Sequence, residues 1–298
     1  MKIAWHQFYN HLLKENHKFP MIKYDLLKSE LLNQKIANEN DFIEPEEIEE
    51  IDILLAHTPE YWNKLKSLSL DSKEERRTGF PQSERLIQRE RRIMQGTYQV
   101  SKSAIIEGIG FNIAGGTHHA FSYKGEGFCL LNDMVLTALM LEKYNNLKRI
   151  LILDLDVHQG NGTAEILKNK GNIYTFSMHG KDNYPIEKEI SDWDIALSHN
   201  TKDEEYLQIL EDSIKKIKLN FDPEFVLFQA GVDILETDKF GRLNISNDGC
   251  QKRDEIVYEY FSKNSIPVCA TMGGGYSKDI NIIVEAHLNT YKSALKYY

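Results

Sequence analysis

Four apolar residues in an unbroken run, Ile150 to Leu153, are followed by a polar side chain at every second position: Asp154, Asp156 and His158. A continuous apolar run of this length fits a strand covered on both faces, as in a parallel sheet held between helices. Alternate residues of a strand project to the same face, so an extended conformation lasting to His158 would aim all three polar groups one way. Two carboxylates and an imidazole buried together are costly unless they are paired. The stretch therefore predicts a cation at the end of a core strand, and a divalent metal is the natural candidate.

The rest of the chain reads as the same architecture. Strands are expected at 2–6, 110–116, 149–158, 172–179, 224–233 and 266–275, with helices over 20–36, 83–107, 131–146, 203–219, 246–264 and 279–297. In the helix over 203–219, Thr201 and Glu204 suggest a capping box, and Leu207, Leu210, Ile214 and Ile217 recur at helical spacing. No linker, repeat or low-complexity tract interrupts the 298 residues, so one α/β domain is expected, a doubly wound, mainly parallel sheet. In such sheets ligands gather beyond the carboxyl ends of the strands.

Composition narrows the partners. A formal net charge of -9 disfavours nucleic acid. The one basic run, residues 73–92, mixes both signs and reads as a solvated helix surface. Cys129, Cys250 and Cys269 lack any C-x-x-C spacing, which points to reduced thiols. The N-terminus lacks a signal-peptide apolar run and no stretch of about 18 apolar residues occurs, so a soluble, cytoplasmic protein without a membrane partner is expected.

Polar groups fall at the expected strand ends. The run from Gly110 leads to Thr117, His118 and His119, the run over 172–179 ends with Ser177 and His179, that over 224–233 ends at Asp233, and "CATMGGG" leads to Tyr276. Asp156, His158 and Asp233 supply two carboxylates and one imidazole, leaving a coordination position free for water as in a catalytic zinc site. Beside such a water, His118 and His119 could serve as general base and acid. The Tyr276 phenol could stabilise a developing oxyanion. "GEGFCLLND", residues 125–133, reads as a loop entering a helix, capped by Asn132 or Asp133, with Phe128 beside Gly127 suggesting a narrow apolar wall.

Taken in order, "GGTHHA", "GEGFCLLND", "DLDVHQGNGT", "AGVD" and "GGGY" resemble the zinc-dependent histone deacetylase superfamily. "HKFPMIKY", "RRTGFP" and "HQGNGTAEI" are similar to its class IV branch and bacterial relatives. The resemblance implies the arginase/deacetylase fold with about eight strands. It implies a zinc or ferrous ion held by Asp156, His158 and Asp233, with His118, His119 and Tyr276 catalytic. Substrate would be contacted by Gly127, Phe128 and Gly274, with Asp154 and Asn161 behind the two histidines. It further implies a structural potassium ion near Asp154, Asp156, His158, Ser177 and Met178.

Two positions depart from the pattern. Asn161 stands where many relatives have a second aspartate, which leaves His119 without an anionic partner and favours its neutral form. Lys18 stands where relatives often carry arginine, exchanging a planar fork of donors for a point charge. The expected reaction is hydrolysis of an acyl amide, most readily N-epsilon-acyl-lysine in a protein or peptide, with acetyl and longer acyl groups both open. Alternatives are an acylpolyamine or other small-amine amidohydrolase, a dimanganese ureohydrolase-like enzyme, and a non-catalytic acyl-lysine binder.

Overall fold

In a computed structural model, residues 1–15 and 17–298 are described. Eight strands form one sheet: β1 (Lys2–Ala4), β2 (Phe42–Ile43), β3 (Ile109–Asn112), β4 (Ile150–Asp154), β5 (Ile173–Gly180), β6 (Trp193–Leu197), β7 (Phe225–Gln229) and β8 (Val268–Thr271). Their order across the sheet is β2-β1-β3-β8-β7-β4-β5-β6, and every neighbouring pair is parallel. Ten helices surround it: α1 (Lys23–Asn33), α2 (Glu50–Ile53), α3 (Pro59–Lys66), α4 (Ser72–Thr78), α5 (Glu84–Glu107), α6 (Asp133–Asn145), α7 (Asn161–Leu167), α8 (Asp203–Asn220), α9 (Asn247–Lys263) and α10 (Ile280–Ala294).

The central strand β4 is buried along its whole length between β5 and β7, which is why its sequence is apolar without alternation. From β4 the chain runs through α7 and β5 toward one edge. It then returns to the other side of β4 as β7 and continues through α9 to β8. With right-handed crossovers, α7 and α9 lie on opposite faces of the sheet. The connections leaving β4 and β7 therefore diverge, opening a crevice at the carboxyl ends of these two neighbours.

All six predicted helices are present within three residues at each end. Five of the six expected strands overrun at their carboxyl ends, whereas β5 runs one residue past its expected end. Expected to reach His158, β4 ends at Asp154, because side chains take over the backbone amides. Asp156 N–H donates to Asp154 Oδ1 (3.2 Å), His158 N–H to Asp156 Oδ1 (3.0 Å) and Val157 N–H to Asp233 Oδ1 (3.0 Å). The three polar side chains consequently do not share one strand face. The Thr201–Glu204 capping box is also absent: Lys202 is the cap residue of α8, without a side-chain bond, and the Thr201 hydroxyl donates to Ser198 O instead. Asn132, by contrast, caps α6 by accepting from Val135 N–H.

Candidate active site

Asp156 and His158 come from the turn after β4, and Asp233 from the loop after β7. Ligand atoms from all three residues lie within 4.8 Å of one another, and all three residues are buried. His158 Nδ1 faces Asp156 Oδ1 at 3.0 Å and Asp233 Oδ2 at 3.1 Å. The remaining carboxylate oxygens are fixed from behind. Asp156 Oδ2 accepts from Gly274 N–H (2.9 Å) and the Gln229 amide (3.2 Å), and Asp233 Oδ1 from Val157 N–H. Each carboxylate thus keeps one oxygen turned inward, as outer partners do for metal ligands.

Gly274 makes this approach possible. A Cβ there would sit 1.9 Å from Asp233 Oδ2 and 2.8 Å from Asp156 Oδ2, so only a bare backbone fits. Burial and the neighbouring Asp156 charge push the Asp233 carboxyl up to about 7. Burial works against a charged His158, but its hydrogen bonds to Asp156 and Asp233 outweigh it and raise the imidazole to about 10. The protein's own cation in this nest is an imidazolium wedged between two buried carboxylates. Two anions, one imidazole nitrogen and an adjoining chamber are a donor set that fits a divalent ion, and an ion there would replace that proton.

The two histidines after β3 share a turn but differ in environment; their rings are 4.1 Å apart. His118 Nδ1 is 2.7 Å from Asp154 Oδ2. Burial disfavours its charge, yet Asp154 and Asp156 overcome this and raise His118 to about 9. His119 Nδ1 is 2.7 Å from Asn161 Oδ1. Burial, then the charges of His118 and His158, hold His119 well below the ordinary imidazole range. The amide of Asn161 is itself oriented, because its Nδ2 donates to Glu126 Oε1 at 2.8 Å. Glu126 also accepts from the Tyr184 hydroxyl (2.7 Å) and pairs with Lys124 (2.9 Å). With its nitrogen committed to Glu126, Asn161 presents oxygen to His119, so His119 carries hydrogen on Nδ1 and offers Nε2 as a base.

Asp133, offered by the sequence only as a helix cap, clamps the segment that carries these histidines. It accepts from Gly116 N–H (3.1 Å), Thr117 N–H (2.8 Å), the Thr117 hydroxyl (2.8 Å) and the Thr97 hydroxyl (2.7 Å). Tyr276 is held at its backbone by Asp238, which accepts its N–H at 2.6 Å. Its ring packs with Phe19, Phe128 and Phe240.

Two cavities meet at this point. The inner chamber, about 40 Å³, is lined by Asp156, His158, Asp233, the adjacent His118 and His119, Gly274, Tyr276 and the buried Arg89. The outer one, about 510 Å³, includes Lys18, Arg77, Tyr184, Phe240 and Arg242. His119, Gly127, Phe128, His158 and Tyr276 line both and form the neck. Gly127 and Phe128 have φ of +56° and +67°, and a Cβ on Gly127 would meet the His119 ring at 2.6 Å.

Lys18 opens on the outer cavity. The buried lysine is Lys23, whose ammonium donates to Gly273 O at 3.1 Å and is lowered to about 8 by burial. Ser177 stands opposite Asp154 in the β4–β5 register, and its hydroxyl contacts His179 Nδ1. Sequence reasoning missed Gln229, Glu126, Tyr184 and Lys23. A signal existed for Gln229, a polar residue ending an apolar strand, and for Glu126, a carboxylate between two glycines.

Among the described residues no helix is long and apolar enough to cross a membrane. The sequence pattern of the histone deacetylase domain matches residues 17–291. An uncharacterized protein of Picosynechococcus sp. strain PCC 7002 is 35% identical over 99% of both chains. Histone deacetylase 2 of Arabidopsis thaliana is 30% identical over 89% of this chain and 71% of its own length. Among solved structures, an HDAC homolog complexed with SAHA superposes with a TM-score of 0.84 at 25% identity, covering 99% of this chain and 84% of that one. An HDAC homolog from Aquifex aeolicus gives 0.83 at 25% identity over 98% and 83%. On fold, motif order and these likenesses, the chain belongs to the histone deacetylase family, whose members are deacetylase hydrolases.

Proposed function

We propose that the protein hydrolyses N-epsilon-acyl-lysine, with one divalent ion, zinc or ferrous iron, held by Asp156, His158 and Asp233. One observation carries this reading: the three ligand residues, both histidines and Tyr276 line a single chamber. An ion bound there supplies Lewis acidity, polarising an acyl carbonyl and bringing the pKa of a water toward about 7. His119, neutral and with Nε2 free, accepts the proton of the attacking water. His118, the more basic of the pair through Asp154, returns a proton to the leaving amine. Tyr276 donates its phenolic hydrogen to the developing oxyanion. Phe128, with Gly127, walls the acyl-lysine stem, and Gly274 holds the ligand carboxylates in close array.

The inner chamber, about 40 Å³, suits a short acyl group. Measured the same way, roughly 10–15 Å³ holds one water. Acetyl-lysine is therefore the expected substrate within a class IV-like branch, ahead of fatty acyl-lysine. Acylpolyamines are the competing substrates. A monovalent ion near Asp154, Ser177 and Met178 belongs to the same reading and is tested by comparing activity in KCl and NaCl.

The deciding experiment is a panel of acyl-lysine peptides from acetyl to myristoyl, run with zinc- and iron-reconstituted protein. Acetyl release with kcat/KM at least about tenfold above myristoyl is expected. No amine release from any member would overturn the acyl-lysine reading and leave the acylpolyamine hydrolase, the ureohydrolase-like enzyme and the non-catalytic binder.

A further inference from the structure

The outer cavity carries a charge pattern opposite to that of the whole chain, whose formal net charge is -9. Lys18, Arg77 and Arg242 line it, from the segment before α1, from α4 and from the loop after β7. Asp182 is the one acidic residue among its lining. Glu126 lies close by, bonded to Tyr184, but is already taken up by Lys124 and Asn161. Lys188 on the same loop as Tyr184 is also satisfied, by Asn183 O and Pro185 O. The side chains of Lys18, Arg77 and Arg242 make no ion pair and no hydrogen bond with any described residue. Lys18 and Arg242 are exposed and Arg77 is half-buried, with its own carbonyl accepting Gly127 N–H at the neck.

Three uncompensated cations around a concavity with aromatic walls, Phe128, Tyr184, Phe240 and Tyr276, make a focused positive field. An anion entering the cavity is attracted by all three, and the two arginines can bind carboxylates through paired N–H groups. The inner chamber is too small for more than the acyl end, so whatever carries the leaving amine extends into the outer cavity, more than ten times larger at about 510 against 40 Å³.

We infer that Lys18, Arg77 and Arg242 form an anion subsite that selects acyl-lysine within acidic stretches of polypeptide and rejects acylated polyamines. This rests on the deacylase reading and sharpens its substrate. Aspartate or glutamate beside the acyl-lysine meets the three cations, since neighbouring residues of an extended peptide advance only about 3.3 Å each. A polyamine tail brings ammonium groups into the same field.

Three acetyl-lysine peptides, identical except for flanking aspartates, serines or lysines, are compared with N-acetylspermidine. The proteins are wild type, Arg242→Gln, and the triple variant Lys18→Glu, Arg77→Glu, Arg242→Glu. Expected is a kcat/KM order of acidic over neutral over basic, spanning about tenfold. The span narrows in 0.5 M NaCl, shrinks about threefold in Arg242→Gln and inverts in the triple variant, with N-acetylspermidine the poorest wild-type substrate. Fluorescence anisotropy of the same labelled peptides on metal-free protein reads the subsite without turnover. Hydrolysis of the neutral peptide with no preference for the acidic one, or an order unchanged in the triple variant, overturns the subsite and leaves the deacylase intact. If no peptide is hydrolysed, the deacylase reading fails, and anisotropy alone decides whether the acidic peptide binds more tightly than the basic one.

Discussion

Two buried charge clusters flank the loop that leaves β7, and they end their hydrogen bonds differently. On α9, Arg253 donates through Nε to Asp254 Oδ1 (2.8 Å) and through its two terminal nitrogens to Gly231 O (2.5 Å) and Ala230 O (3.3 Å). Asp254 Oδ2 accepts from the Thr290 hydroxyl at 2.7 Å. Each nitrogen of the guanidinium and each oxygen of the carboxylate has a partner within the protein. In the Asp156–His158–Asp233 cluster, one oxygen of each carboxylate faces a chamber and the His158 imidazole, with the His158 N–H as a further donor to Asp156 Oδ1. Burial of charge alone therefore does not mark a site. A guanidinium closed on backbone carbonyls is scaffold, and it braces the same Ala230–Gly231 segment that leads to Asp233, whereas the second cluster turns an oxygen of each carboxylate toward a chamber, as the proposed chemistry requires.

This contrast can be broken at either cluster. Asp233→Asn is expected to lower kcat/KM by at least about 10⁴-fold, a loss above about 5 kcal/mol. Its metal-free melting temperature should hold or rise, because burial and the Asp156 charge disfavour the Asp233 carboxylate in the folded protein. A marked fall in that temperature would make the cluster structural like its neighbour. Arg253→Met should behave in the opposite way and cost about 3–5 kcal/mol of stability, by stranding Asp254. Urea unfolding measures it, and a cost under about 1 kcal/mol would dissolve the distinction. Tyr276→Phe should leave unfolding unchanged and reduce kcat by about 10²–10³-fold.

A smaller effect separates the two histidines. Glu126→Gln frees the Asn161 amide to rotate and should cost about tenfold in kcat, the scale of lost outer-partner support. Asn161→Asp sets an anion against His119 and raises its pKa. The base then stays protonated to higher pH, and the acid limb of the kcat/KM profile moves up. An unmoved limb would remove His119 from the role of base.

The sequence carried the parallel sheet, its helices and the separated residues Asp156, His158 and Asp233 that meet in one cluster, because apolar runs and polar strand ends are local patterns. Strands β2 and β6 escaped it. The first has two residues and the second, "WDIAL", is an edge strand with little burial, so neither shows an apolar run. The end of β4 was also illegible, since the carboxylates that cap its amides include Asp233, which lies 76 positions beyond Val157. For the same reason His119 lacked an anion in the sequence, while the folded chain supplies one at second hand, Glu126 acting through Asn161.

The diverging connections of β4 and β7 also set a timetable. Asp156 and His158 emerge from the ribosome more than seventy residues before Asp233, and Tyr276 follows later still. No nascent fragment that stops short of Asp233 carries all three of these side chains. A site that needs Tyr276 as well must wait for a residue made 120 positions after Asp156, so its parts cannot come together while only the first half of these residues has been made.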